Sequence, residues 1–386
     1  MLPPTPIRRF LLVPLVVLIA GAMAALAPPV ALLSVAFNQL KRRTRPGRPR
    51  RSRLLRVVIL GLAWSTGEVA ALTVFLCLWL VSGFGGRLDT EPYQARQYGI
   101  MRRFLDLVYR VAGRTCGLSV TVDGPRQAVP PQTVPPQTVP PQTVPPQTVP
   151  HRDRPLIVLS RHAGPGDSLL LIHHLLNVCG RRPRVVMKAT LQLDPTVDVL
   201  ANGLPNAFLR RAAHAGKVAG SRQHTEQIRR LAAGMTSASA LVIFPEGGNW
   251  TPLRWHRAAD RLRRAGRPDL AERARAMPNV LPPRASGALA AIAACPQADV
   301  VFVAHAGLDR LLSARDVWRS LLTDMEVRAR WWRVPAASVP RSVSRDAQVS
   351  WLYDWWARID AWIAEQNPLP SDTQAVSVVS SQAAPI

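Results

Sequence analysis

The sequence predicts an α/β fold, a sheet flanked by helices, preceded by an N-terminal hydrophobic helical region that anchors the chain to a membrane. Three observations predict it. Beyond residue 151, short and continuously apolar runs alternate with helix-length stretches, as in a sheet covered on both faces. Two apolar segments, Phe10–Phe37 and about Val57–Phe84, are each long enough to cross a bilayer. Between them lies a dense run of basic residues.

The 386 residues are 48% hydrophobic and 19% charged, which excludes general disorder and allows one large or two ordinary domains. The net charge is +25, so either nucleic acid or anionic lipid is a candidate partner. Its location decides between them. The first 60 residues hold 11 basic and no acidic residues, and eight of the 11 lie in Lys41–Arg53 (KRRTRPGRPRRSR). A basic loop between two hydrophobic segments reads as a contact with anionic headgroups, not as a nucleic-acid arm. The widely spaced Cys77, Cys116, Cys179 and Cys295 form neither a disulfide framework nor a zinc signature.

Taken in order, the first element is Phe10–Phe37. Arg8-Arg9 before it and Ala25-Leu26-Ala27 within it also fit a secretory signal, although the second segment would still hold the chain in the membrane. Two simple spans would put the basic loop opposite the C-terminal domain. Pro28-Pro29 and Ser65-Thr66-Gly67-Glu68 interrupt the segments, however, and a charge such as Glu68 is costly at mid-membrane depth. The expectation is a monotopic anchor, with loop and domain both on the cytoplasmic face of the cell membrane.

A strand near Leu118–Val122 follows, then four tandem PPQTV units between Val129 and Pro150. Paired prolines favour an extended spacer, so the repeat reads as an expanded surface loop; the rival is a docking site for a proline-reading partner. Further strands are expected at Leu156–Ser160, Arg184–Met187, Ala240–Phe244, Asp299–Ala304 and Val327–Val334. Helices are expected at Ser168–Val178, Thr225–Ala233, the basic stretch Trp255–Met277 and Val349–Gln366. On the last, Trp351, Trp355, Trp356 and Trp362 recur at helical spacing, as either a packing face or a membrane-interface face. His173-His174 reads as structural.

Two motifs carry chemistry. After the Leu156–Ser160 strand comes Arg161-His162-Ala163-Gly164-Pro165-Gly166-Asp167-Ser168, a tight turn opening a helix. The turn can fold the Asp167 carboxylate onto the His162 imidazole and orient it as a general base; the alternative is a capping Asp with an incidental His. At the end of a second strand stands Phe244-Pro245-Glu246-Gly247-Gly248-Asn249. There Glu246 sits at the mouth, and the glycines allow close approach of backbone N–H groups to an oxyanion or phosphate; the alternative is a strand-ending turn with a solvated Glu.

The H-x-x-x-x-D motif followed by F-P-E-G resembles the glycerolipid acyltransferases of the lysophosphatidate acyltransferase family, over about Leu118–Gln366. The resemblance implies an acyltransferase-type sheet and transfer of a fatty acyl group from acyl-CoA or acyl carrier protein to a lysolipid hydroxyl. It makes His162 the base, Asp167 its orienting partner, and Glu246 and Gly247 the groups that position the acceptor. Lys188-Ala189-Thr190-Leu191 with Pro195 and Gly203 resembles the family's lysine segment. Phe208-Leu209-Arg210-Arg211 resembles its phosphate-binding arginine motif, Arg211 fitting better than Arg210. Pro283-Arg284 with Gly287 is similar to the lysophospholipid-remodelling branch. No metal or cofactor is implied beyond the co-substrate.

The expected layout is an anchor over 1–90 with basic loop 41–53, the start of the acyltransferase domain over 91–128, the repeat loop over 129–150, the catalytic domain over 151–366 and a disordered tail over 367–386. The chain departs from the family in three places. Gly248-Asn249 stands where Thr-Arg is usual, so Arg254 or Arg257 is expected to supply the missing arginine. Arg161 replaces Asn, and Val301-Phe302-Val303-Ala304 replaces Val-Pro-Val. The first product that the resemblance implies is phosphatidic acid, from 1-acyl-glycerol-3-phosphate at an anionic membrane. The alternatives are acylation of another lysophospholipid or glycolipid, and a catalytically silent lipid-binding protein.

Overall fold

A computed structural model describes residues 3–44, 53–127, 153–164, 166–210, 217–308 and 325–366. The PPQTV repeat, most of the basic loop, Pro165, Arg211 and the 367–386 tail lie outside the described residues.

The chain begins with two long helices, α1 (Thr5–Thr44) and α2 (Arg53–Val81). Within them, Thr5–Ser34 and Leu54–Val81 are long and apolar enough to cross a membrane. They run antiparallel, since Ser65 reaches the Met23 sulfur at 3.4 Å while the start of α1 and the end of α2 both meet one short helix, α5 (Pro195–Asn202). Arg8 and Arg9 bind the buried Asp198 of α5 at 2.5 and 3.0 Å, and Ala71 and Phe75 of α2 pack on Val199 and Leu200. The expected breaks are absent. Helix α1 runs through Pro28-Pro29 and α2 through Ser65–Glu68, so neither segment turns back to its own side. A missing proline N–H is tolerated in an apolar helix whose neighbours satisfy the freed backbone. Glu68 is buried beside Trp64 and Asp194.

Helix α3 (Glu91–Cys116) starts with a proline in its first turn and stops at Gly117, whose φ of 62° supplies the left-handed residue that ends a helix. It packs on α2 through an edge-to-face contact of Phe104 with Trp64, and its Tyr98 donates to the Pro183 carbonyl.

The sheet has seven strands: β1 (Ser119–Gln127), β2 (Leu156–Ser160), β3 (Arg182–Lys188), β4 (Ala207–Leu209), β5 (Ser239–Ile243), β6 (Asp299–Ala306) and β7 (Glu326–Val334). Their spatial order is β1-β7-β6-β2-β5-β3-β4. All neighbours are parallel except β6 and β7. Strands β2 and β5 are buried along their whole length, because helices cover both faces. One face carries α4 (Asp167–His173), which continues into a π-helical turn, His174–Val178. The other carries α6 (Lys217–Ala233), α8 (Pro268–Arg275), α9 (Ala285–Ala294) and α10 (Arg345–Gln366).

On α10, Trp355, Trp356 and Trp362 are buried in this core, and Trp355 stacks on Phe302 at 4.5 Å. Their periodicity is thus a packing face, and truncating one such tryptophan costs about 3–5 kcal/mol. The basic stretch expected as one helix is two, α7 (Pro252–Arg264) and α8, divided by Gly266 at φ 72° and by Pro268.

Candidate active site

Parallel strands β6, β2 and β5 are neighbours and end on the same side, where open α/β sheets place their ligands. At the end of β2 the chain turns through Ala163 and Gly164, and Gly166 at φ 88° opens α4. Gly164 lies so close to Leu308 that a Cβ there would clash with its carbonyl oxygen, so this turn has no room for a side chain.

The turn brings His162 and Asp167 together as expected. His162 Nδ1 lies 2.9 and 3.1 Å from the two Asp167 oxygens. Asp167 also accepts from the Ala163 N–H at 2.9 Å and from the Ser168 N–H and hydroxyl at 2.5 and 3.0 Å. Burial alone would raise the Asp167 carboxyl, but the hydrogen bonds and charges of His162 and His305 outweigh it and hold it well below the usual carboxylate range. An ionised Asp167 fixes the proton of His162 on Nδ1 and leaves Nε2 as the acceptor. The His162 ring rests on Phe244 at 4.7 Å between centroids.

The Phe244–Asn249 turn abuts this loop, with the Trp250 N–H donating to the His162 carbonyl at 2.8 Å. Glu246 is not at the mouth. Its side chain is 3% exposed and points inward, accepting from the Leu281 N–H at 3.3 Å and from the His162 backbone N–H. Burial pushes its carboxyl from an ordinary 4.5 up to about 8, against the opposing pull of the Arg161 guanidinium. An isolated buried carboxylate is expensive, and the neutral form avoids that cost.

A carboxyl with a raised folded pKa contributes stability that is fully present below about pH 4.5 and is lost as pH rises through about 8. The Glu246→Gln protein, which cannot ionise there, should match the wild type in thermal midpoint near pH 5. It should exceed the wild type by on the order of several °C at pH 9. Parallel melting curves across that range would show that Glu246 is not held neutral.

The Gly247 N–H is used inside the turn, donating to the Phe244 carbonyl at 3.0 Å, so it does not serve an oxyanion as expected. What gathers over the glycines is positive charge. A Cβ on Gly247 would lie 3.0 Å from the Arg284 guanidinium carbon; one on Gly248 would lie 3.0 Å from Arg254 Nη1 and 3.8 Å from Lys188 Nζ. Arg254 Nη1 donates to the Asn249 carbonyl at 2.9 Å. Among the described residues, neither Arg254 nor Arg284 has a carboxylate within ion-pair distance. Arg254 thus reaches the turn where the expected arginine was missing from the local sequence. Arg284 joins it from the loop before α9, as the Arg284 N–H donates to the Pro245 carbonyl. Arg210 is exposed just beyond β4, on the sheet edge.

An apolar cavity of about 80 Å³ lies on the α4 face of the sheet, between β1, β7, β6 and β2. Val122, Val158, Leu171 and Val303 are among its walls, and Ser160, Asp167 and His305 also line it, beside the His162–Asp167 turn. Residues 139–303 match the family model described as Acyltransferase. Over those residues the chain is similar to the glycerolipid acyltransferases. The match spans both motifs and supports an acyltransferase activity. No curated protein matches the chain significantly.

Three residues gain their place at this site only from the fold. Arg161, 1% exposed, ties the site together by donating to the His305 and Asn279 carbonyls at 2.5 and 3.0 Å. Arg284 and His305 stand far from the motifs in sequence. Among the described residues, no cluster of His, Cys, Asp and Glu could hold a metal ion.

Proposed function

We propose that the protein transfers a fatty acyl group from acyl-CoA, or from acyl carrier protein, to the free hydroxyl of 1-acyl-glycerol-3-phosphate, forming phosphatidic acid. The observation that carries this reading is the oriented His162–Asp167 pair next to a turn crowned by Lys188, Arg254 and Arg284. Base and cations are what a phosphate-bearing alcohol needs in order to become a nucleophile in place.

His162 Nε2 takes the proton of the acceptor hydroxyl. The oxygen attacks the thioester carbonyl carbon, and the tetrahedral intermediate collapses with cleavage of the C–S bond. The imidazolium, stabilised by Asp167, returns its proton to the departing thiolate, so no covalent enzyme intermediate is required. Lys188 and Arg254 hold the acceptor phosphate through charge-assisted hydrogen bonds. Glu246 keeps the His162 peptide in place from below, and Gly247 allows Arg284 to close over the turn. Arg210 and Arg211 remain candidates for a phosphate of either substrate. The apolar cavity suits an alkyl chain, and the α1–α2 hairpin suits attachment to a cell membrane.

The test is an acceptor panel with the purified full-length protein, radiolabelled acyl-CoA and several lysolipids. Phosphatidic acid should be the fastest product. Preferential labelling of another lysophospholipid or a glycolipid would overturn the assigned acceptor, and no transfer to any would overturn the activity.

A further inference from the structure

We propose that His305 is a positioning residue that shares Asp167 with His162; the inference deepens the reading of the site given above. His305 lies near the end of β6, two residues beyond the stretch that matches the family. It is 7% exposed. Its Nε2 faces two oxygens, the Arg161 carbonyl at 3.3 Å and Asp167 Oδ2 at 3.5 Å. Both are acceptors, so Nε2 carries the proton of a neutral ring. Nδ1 then bears the lone pair; it is buried without a hydrogen-bond partner among the described residues, in a side chain that lines the apolar cavity. The strand position is itself fixed, because the His305 carbonyl accepts from Arg161 Nη1.

Asp167 Oδ2 is therefore approached by four donors: His162 Nδ1, the Ala163 and Gly164 N–H groups, and His305 Nε2. The first three come from its own loop; only His305 comes from another strand. It closes the side of the carboxylate that the loop leaves open, holding the plane that meets His162. It also draws off part of the negative charge that would otherwise stabilise the His162 imidazolium. The other titratable groups around His305 are Arg161 at the end of β2, and His174 and Arg330 on the walls of the same cavity. Arg330 is paired with Asp123 at 3.2 Å.

Two measurements on the full-length protein test this. Nitrogen-15 histidine spectra of the wild type, assigned with His305→Gln, should show His305 protonated on Nε2 and bare on Nδ1. The opposite tautomer would overturn the inference, without needing turnover or a variant that lacks the ring. The second is the pH dependence of kcat/KM. His305→Leu removes the donor, leaves Asp167 more negative towards His162, and should move the acidic limb to higher pH by about half a unit. His305→Gln, whose amide can donate to Asp167, should restore it. An unmoved limb in the leucine variant, or a limb that glutamine fails to restore, would refute the role. Failure of the acceptor panel would count against the proposed reaction and leave the tautomer result standing.

Discussion

His162→Ala should release coenzyme A from acyl-CoA on the order of 10²–10⁴-fold more slowly than the wild type, the range that a positioned general base contributes. The fall should appear in kcat, because proton removal is needed in the transition state and the ring binds neither phosphate nor alkyl chain. The fold should survive. The His162 side chain is 18% exposed and rests on one face of Phe244, and the hydrogen bonds that lace its loop to the Phe244–Asn249 turn are made by its backbone. A thermal midpoint close to that of the wild type, together with lost thiol release, is the expected pair of results. Undiminished turnover would refute the mechanism and favour a lipid-binding protein that has kept the family's fold.

The second large effect concerns the cations over Gly247 and Gly248. Lys188→Ala and Arg254→Ala should each raise KM for 1-acyl-glycerol-3-phosphate by about 10–100-fold, since a hydrogen bond to a charged group contributes about 1.5–3 kcal/mol. The comparison that matters is with an uncharged monoacylglycerol and with acyl-CoA itself, whose KM values should change far less. Coenzyme A also carries phosphates, so an equal rise in its KM would reassign these cations to the donor. Arg284 is the less suitable first target, because its backbone is hydrogen-bonded to Pro245 and its replacement would disturb the turn itself.

The sheet was readable where strands are buried on both faces. The runs LIVLS and ALVIF are apolar except for a terminal serine and mark β2 and β5 to within one residue. Strand β4 was hidden because three residues carry no periodicity, and α7 and α8 merged because Gly266-Arg267-Pro268 is short beside the helices it divides. The His162–Asp167 contact was legible because a glycine-rich turn leaves few other places for the carboxylate. The orientation of Glu246 was not: local sequence puts it at a strand end, and only the approach of Leu281 and Arg161 turns it inward. His305 sits in DVVFVAHA, which reads as core. It gains a chemical setting because β6 lies beside β2, an adjacency that spans more than a hundred residues of chain.

The latch between Arg8, Arg9 and Asp198 has a further consequence. Helix α5 follows Lys188 after a single 3-10 turn, Ala189–Leu193. The same short piece of chain thus joins the base of the hairpin to a cation of the site. Helix α1 is about 60 Å long at 1.5 Å per residue, and under the proposed function, with it seated in a bilayer, the site would be kept at a set height above the lipid surface. Encounter with an amphiphilic substrate would then become a search by lateral diffusion in two dimensions, and a domain cut free of its hairpin would have to find the same molecules in three.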